Sequence, residues 1–158
     1  MNPQVEQVEW SESYSMRIKK IDDQHKGLLK IVNDLYSHST GDERAERMYF
    51  MEVIGQAVQY IKEHFATEER IMIATKFPGY QEHKKAHDEF TMTVVQSLND
   101  FKAGKQLVLV KFAHFLKDWV LTHIAVMDVQ YAAYFRQIAT RKANGKLSIT
   151  KEDIELQG

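Results

Sequence analysis

Four stretches of this chain space their apolar residues in steps of three and four, and each of the four stripes carries histidine where a core side chain belongs. The first holds Ile21, His25, Leu28, Val32 and Leu35, and predicts a helix from about Met16 to Ser39. The second, Val53, Ala57, Ile61, His64, Glu68 and Ile71, predicts one from about Arg44 to Thr75, stopped by Phe77-Pro78-Gly79 because proline and glycine do not continue a helix easily. The third is His83, His87, Phe90, Val94, Leu98 and Phe101, ending near Ala103-Gly104, where glycine suits a C-terminal cap. The fourth, Phe112, Leu116, Trp119, His123, Val126 and Tyr134, runs from about Gln106 to Thr140. Proline occurs only at Pro3 and Pro78, so nothing interrupts these helices, and the short links force neighbours to run antiparallel.

The expected fold is therefore all-α, an up-down-up-down four-helix bundle over about residues 16–140. An N-terminal arm, 1–15, precedes it, with Trp10 and Tyr14 placed to pack across the bundle, and a short C-terminal tail, 141–158, follows. In that tail Thr150, ahead of Glu152 and Asp153, either opens a short helix or belongs to a frayed end. A length of 158 residues suits one domain spanning 1–158.

Composition removes several function classes. With 21 basic against 22 acidic side chains there is no field to gather nucleic acid or anionic lipid. The absence of cysteine leaves histidine and carboxylate as the plausible metal ligands. The opening MNPQVEQVEW has neither the basic start nor the apolar run of a secretory signal, and no stretch reaches membrane-span length. The expectation is a cytoplasmic monomer that inserts in no membrane and binds no nucleic acid.

A single histidine on an apolar stripe is ordinarily a hydrogen-bonded core residue. Here His64 and Glu68, and separately His83 and His87, are four apart and project from one helical face about a turn apart. His25 and His123 sit mid-helix on their own core stripes, so all four helices supply interior nitrogen. Burying that much polar surface without partners would cost several kcal/mol, and metal coordination removes the penalty. Asp128 is less regular, because five residues at about 100° each put it about 140° around an ideal helix from His123. Either the helix widens there, as a π-turn would do, or Asp128 reaches the metal from the side. Glu69, with the same angular offset from the stripe, is expected to be exposed. His38 and His114, outside the phased set, are expected to be surface or ordinary structural residues.

Taken together, Ile21-Asp22-Asp23-Gln24-His25, His64-Phe65-Ala66-Thr67-Glu68-Glu69, His83-Lys84-Lys85-Ala86-His87 and Trp119-Val120-Leu121-Thr122-His123-Ile124, with Asp128 and Tyr131, resemble the hemerythrins over about residues 10 to 135. The resemblance implies two iron ions, Fe2+ or Fe3+, joined by an oxo or hydroxo bridge. His83, His87 and His123 would hold one iron, His25 and His64 the other, and Glu68 and Asp128 would bridge them. The second iron then keeps one position open, and dioxygen is the implied ligand.

Leu28, Phe65, Trp119, Val120 and Ile124 lie near these ligands in sequence and are candidates for the wall of the dioxygen pocket, a role compatible with plain core packing. Val120 stands where relatives often carry leucine, which bears on access. The expected function is reversible dioxygen binding for carriage, storage or delivery, with no enzymatic turnover. Two alternatives stand beside it. One is oxygen, redox or nitric oxide sensing through a signalling partner, in place of delivery to an oxygen-using enzyme. The other is a diiron oxidase or peroxidase, disfavoured because no histidine follows a glutamate by three and nitrogen outnumbers carboxylate. A zinc hydrolase is weaker still, since His83-Lys84-Lys85-Ala86-His87 lacks the glutamate such a motif uses as base.

Overall fold

The computed structural model describes residues 7–142. After a 3-10 turn at Glu12–Tyr14 come α1 (Lys19–Ser37), α2 (Glu43–Ala74), α3 (Tyr80–Lys102) and α4 (Leu109–His123), and a π-helical turn at Ile124–Asp128 joins α4 to α5 (Val129–Lys142). The last three segments form one rod, so the architecture is the expected four-helix bundle. The part of the tail holding Thr150, Glu152 and Asp153 lies outside the described residues.

Local chemistry sets the ends of these rods. Asp42 caps α2 by accepting from the Ala45 amide, while Glu43 and Glu46 in the first turn favour the positive end of the helix dipole. Gly41 and Gly104 adopt left-handed backbone, φ 86° and 84°, at the links before α2 and after α3, where a side chain would be strained. The α2–α3 corner turns through Lys76 at φ 54°, ahead of the expected proline and glycine stop.

Two starts come later than the stripes predict. The first helix opens at Lys19 instead of Met16 because Arg17 takes left-handed backbone, φ 55°. Asp22 reaches back instead, accepting from the Met16 amide at 2.7 Å and the Ser15 hydroxyl at 2.6 Å, and Arg136 of α5 donates to the Met16 carbonyl at 2.7 Å. The fourth helix opens at Leu109 instead of Gln106, from an extended Val108. The arm packs as expected: Trp10 and Tyr14 meet edge to face at 5.9 Å and rest on the core. Asn33 holds the arm by accepting from the Val8 amide and donating to its carbonyl, both at 2.8 Å.

Between the rods the core is continuous, with Ile21, Val32, Phe50, Ile71, Leu109, Leu116 and Tyr131 fully enclosed. Large rings bridge α3 to α4, where Phe90 stacks on Trp119 at 4.0 Å and on Phe115 at 5.6 Å. The stripe of the fourth rod departs from expectation beyond His123. Val126 is 56% exposed, and the buried line passes instead through Asp128, Tyr131, Phe135 and Ile138. One π-turn inserts an extra residue into the helical repeat, and every later position shifts round accordingly.

Candidate metal centre

The seven predicted side chains meet in the middle of the bundle. His25 comes from α1, His64 and Glu68 from α2, His83 and His87 from α3, His123 from the end of α4, and Asp128 from the π-turn. All seven are buried, His25, Glu68 and Asp128 completely. Asp128 arrives by the first of the two routes left open above, because the widened turn returns the fifth residue to the face that carries His123.

The carboxylates divide the histidines into two poles. Glu68 turns Oε1 toward His64 Nε2 at 2.9 Å and His25 Nε2 at 3.4 Å, and Oε2 toward His87 Nε2 at 3.0 Å and His83 Nε2 at 3.3 Å. Asp128 does likewise, with Oδ2 at 3.1 Å from His25 Nε2 and Oδ1 at 3.0 Å from His123 Nε2 and 3.1 Å from His83 Nε2. Each carboxylate therefore offers one oxygen to each pole. The same atoms form two groups with metal-ligand proximity, Glu68, His83, His87, His123 and Asp128 in one, and His25, His64, Glu68 and Asp128 in the other.

A metal ion fits this arrangement better than mutual hydrogen bonding does. His25 Nδ1 and Nε2, Glu68 Oε2 and both Asp128 oxygens are buried without an aligned hydrogen-bond partner, although several face one another at about 3 Å. His123 Nε2 lies 2.8 Å from His83 Nε2 and 3.1 Å from His87 Nε2. Adjacent nitrogens bound about 2.1 Å from a common ion fall about 3 Å apart, so the three rings already converge as ligands would. Five imidazoles with two carboxylates and no thiolate form a donor set suited to iron.

Charge adds to the picture. Burial works against a charged His25 and a charged His83, but the negative charges of Asp128 and Glu68 close beside them prevail and raise both to about 9. Burial dominates at His64, which is lowered. Burial also works to raise Glu68 and Asp128, yet the surrounding histidines hold both carboxyls below their ordinary range. Without metal the centre thus keeps its carboxylates ionised and stores protons on its rings.

Around the ligands lies a set of contacts that the stripes did not reveal. Tyr131 donates its buried hydroxyl to Glu68 Oε1 at 3.1 Å. Gln24 Oε1 accepts from His64 Nδ1 at 2.7 Å. Glu69, expected to be exposed, is a correction: its side chain is 20% exposed, and Oε2 accepts from His87 Nδ1 at 3.2 Å. The adjacency of Gln24 to His25 and of Glu69 to Glu68 was the available signal, but a neighbour about 100° round the helix meets a different rod, and only the packing says which.

Of the pocket-wall candidates, Phe65 stacks on His87 at 3.8 Å and Trp119 on His123 at 4.3 Å, so both rings cover the three-histidine pole. Phe65 also comes within 6.0 Å of His64. Leu28, Val120 and Ile124 are core residues, each almost fully enclosed. His114 binds the Tyr36 hydroxyl at 2.6 Å and His38 stacks on Tyr49 at 3.6 Å, structural roles outside the centre.

A four-helix bundle with two histidine poles spanned by two carboxylates defines a class of protein with a candidate site for a pair of metal ions. The chain belongs to the hemerythrin family: residues 16–135 match the model described as the hemerythrin HHE cation binding domain. It is 30% identical to a myohemerythrin of Theromyzon tessulatum over 126 residues, covering 80% of this chain and 92% of that one. It is also 30% identical to a bacteriohemerythrin of Stenotrophomonas maltophilia, covering 86% and 89%. A bacteriohemerythrin of Pseudomonas aeruginosa is 32% identical, covering 77% of each chain. The crystal structure of a wild-type hemerythrin superposes with a TM-score of 0.72 at 25% identity, covering 81% of this chain and 97% of that one. No helix among the described residues is long and apolar enough to cross a membrane.

Proposed function

We propose that this protein binds dioxygen reversibly at a two-iron centre, for carriage, storage or delivery, and performs no catalytic turnover. The observation that carries the reading is the split of Glu68 and Asp128, each presenting one oxygen to a three-histidine pole and one to a two-histidine pole. His83, His87 and His123 would hold one ion and His25 and His64 the other, with both carboxylates shared. A ferrous pair held so would supply two electrons and, at the two-histidine pole, a free coordination position for dioxygen.

The protein's part is to hold the ligands and keep water away. His64 donates its Nδ1 proton to Gln24, which fixes the tautomer and leaves Nε2 free to ligate. The Tyr131 hydroxyl pins Glu68 Oε1 from the fourth rod. Phe65 and Trp119 lie flat on ligand rings and close the three-histidine side to solvent. Leu28, Val120 and Ile124 add apolar bulk on α1, α4 and the π-turn, and their proposed role is to keep the ligand pocket dry.

Anaerobic reconstitution with Fe2+ tests the reading. The expected result is two irons per chain and uptake of one dioxygen per pair, returned when the oxygen pressure falls. Hydrogen peroxide released in step with oxygen consumed, or repeated turnover of an organic reductant, would overturn the carrier function.

A further inference from the structure

Three ligand histidines differ in what stands behind the ring. His87 donates its Nδ1 proton to a carboxylate, Glu69 Oε2 at 3.2 Å, and Lys84 holds the other Glu69 oxygen at 3.6 Å. His64 donates instead to a neutral amide, Gln24 Oε1 at 2.7 Å. His25 Nδ1 is buried with no partner.

The Gln24 side chain cannot turn over to offer its other face. Its Nε2 donates to Thr67 Oγ1 at 3.1 Å, and that hydroxyl is committed as donor to the Glu63 carbonyl at 2.9 Å. The Oε1 end is taken by His64, and the Gln24 backbone carbonyl accepts from the Tyr60 hydroxyl at 3.0 Å, which sits over Gly27 where a Cβ would lie 1.9 Å away. The amide is thus held at both ends, and the acceptor it presents to His64 is an uncharged one.

A carboxylate behind an imidazole draws on the ring proton and makes the far nitrogen a stronger donor, while an amide does so less. The strengthened ring belongs to the pole that already has three nitrogens, and the rings backed by an amide or by no partner belong to the pole with two. We infer that Glu69 and Gln24 are positioning residues that set unequal metal affinities at the two poles, so that the three-histidine pole fills first and the Gln24-backed pole stays the weaker one. The inference rests on the metal-holding reading of the centre.

Cobalt(II), whose visible absorption reports binding without oxygen chemistry, is titrated anaerobically into the metal-free protein. The wild type should take up two ions in two steps. Ligand number alone would also order those steps, so the variants decide. Glu69→Gln should weaken the first step about 10-fold and leave the second in place. Gln24→Glu should strengthen the second step about 10-fold, a gain that a merely disruptive change does not produce, and Gln24→Leu should weaken it.

Two bound ions with both constants unmoved in Glu69→Gln and Gln24→Glu, or a second step weakened by Gln24→Glu, overturn the inference alone. A wild type that fails to bind two cobalt ions overturns the metal reading and the inference with it. Far-ultraviolet circular dichroism on each variant keeps loss of fold apart from either result.

Discussion

Removing metal should expose how poorly the centre satisfies itself. Five buried nitrogen and oxygen atoms, two on His25, one on Glu68 and two on Asp128, have no aligned hydrogen-bond partner. An unsatisfied buried polar group costs about 1–3 kcal/mol, so even the low end of that range puts the metal-free centre about 5 kcal/mol above a satisfied one. Ligands that bind only the folded chain restore stability by mass action, about 4 kcal/mol when free metal stands at about 1,000 times its dissociation constant. The two figures agree in scale. For a chain of this size each kcal/mol moves the unfolding midpoint about 2–4 °C, so iron loading should raise it by about 10–20 °C. Anaerobic scanning calorimetry with ferrous iron, and again with a strong chelator, reads the difference, while circular dichroism checks that helicity below the transition is the same. Two irons bound with an unmoved midpoint would refute the reasoning, because the orphaned atoms would then have found partners within the protein.

Phe65→Ala should cost about 4 kcal/mol in chemical denaturation, since the ring is buried against His87 and touches Phe90 and Trp119 at 5.9 and 5.6 Å; a loss under 1 kcal/mol would mean the neighbours close the cavity. Gly27→Ala gains about 1 kcal/mol of helix propensity but drives Tyr60 out of its place, for a net loss of about 1–2 kcal/mol. In a double-mutant cycle that loss should vanish in a Tyr60→Ala background, and full additivity would count against the clash. The metal-free protein should lose stability as pH rises. Protons on His25 and His83 are held in the folded state to about 9 against an ordinary value of 6.5, so their contribution is complete below 6.5 and gone above 9. Urea midpoints flat across that window would contradict the protonated centre.

The first three rods were legible because every expected ligand of α1 to α3 falls on the core side, although in the first half of α2 the enclosed residues are Phe50 and Ile54 in place of the expected Val53 and Ala57. Asp128 was ambiguous and Val126 was wrongly placed on the core stripe for one shared reason. A periodic reading assumes 100° per residue, and the π-turn at Ile124–Asp128 breaks that assumption within a single turn, carrying Asp128 inward and Val126 outward together. The start of α1 was misplaced because Arg17 looks like any helical residue in sequence; what ends the helix there is Asp22 bonding backward to Ser15 and Met16. Glu69 was misjudged since the stripe argument knows only core and solvent. A side chain at the rim of the stripe, able to reach the far nitrogen of a ligand on the next rod, has no signature in spacing alone.

The two poles also differ in what clads them, and this bears on where an exchangeable ligand belongs. At the three-histidine pole Phe65 lies parallel to His87 within 5° and Trp119 to His123 within 14°, with Phe90 stacked behind Trp119. Ring planes held by flat stacking cannot swing without breaking several contacts at once, and the same rings exclude water. At the other pole His25 and His64 meet edge to face at 4.8 Å, and the group behind His64 is the polar Gln24 and Thr67 pair. That side keeps fewer nitrogens and an uncharged polar backing in place of stacked rings. Stacked aromatic cover and donor number thus coincide at one pole and are both lower at the other, which is the division that a centre needs if one metal is to stay saturated while the other gains and loses a ligand.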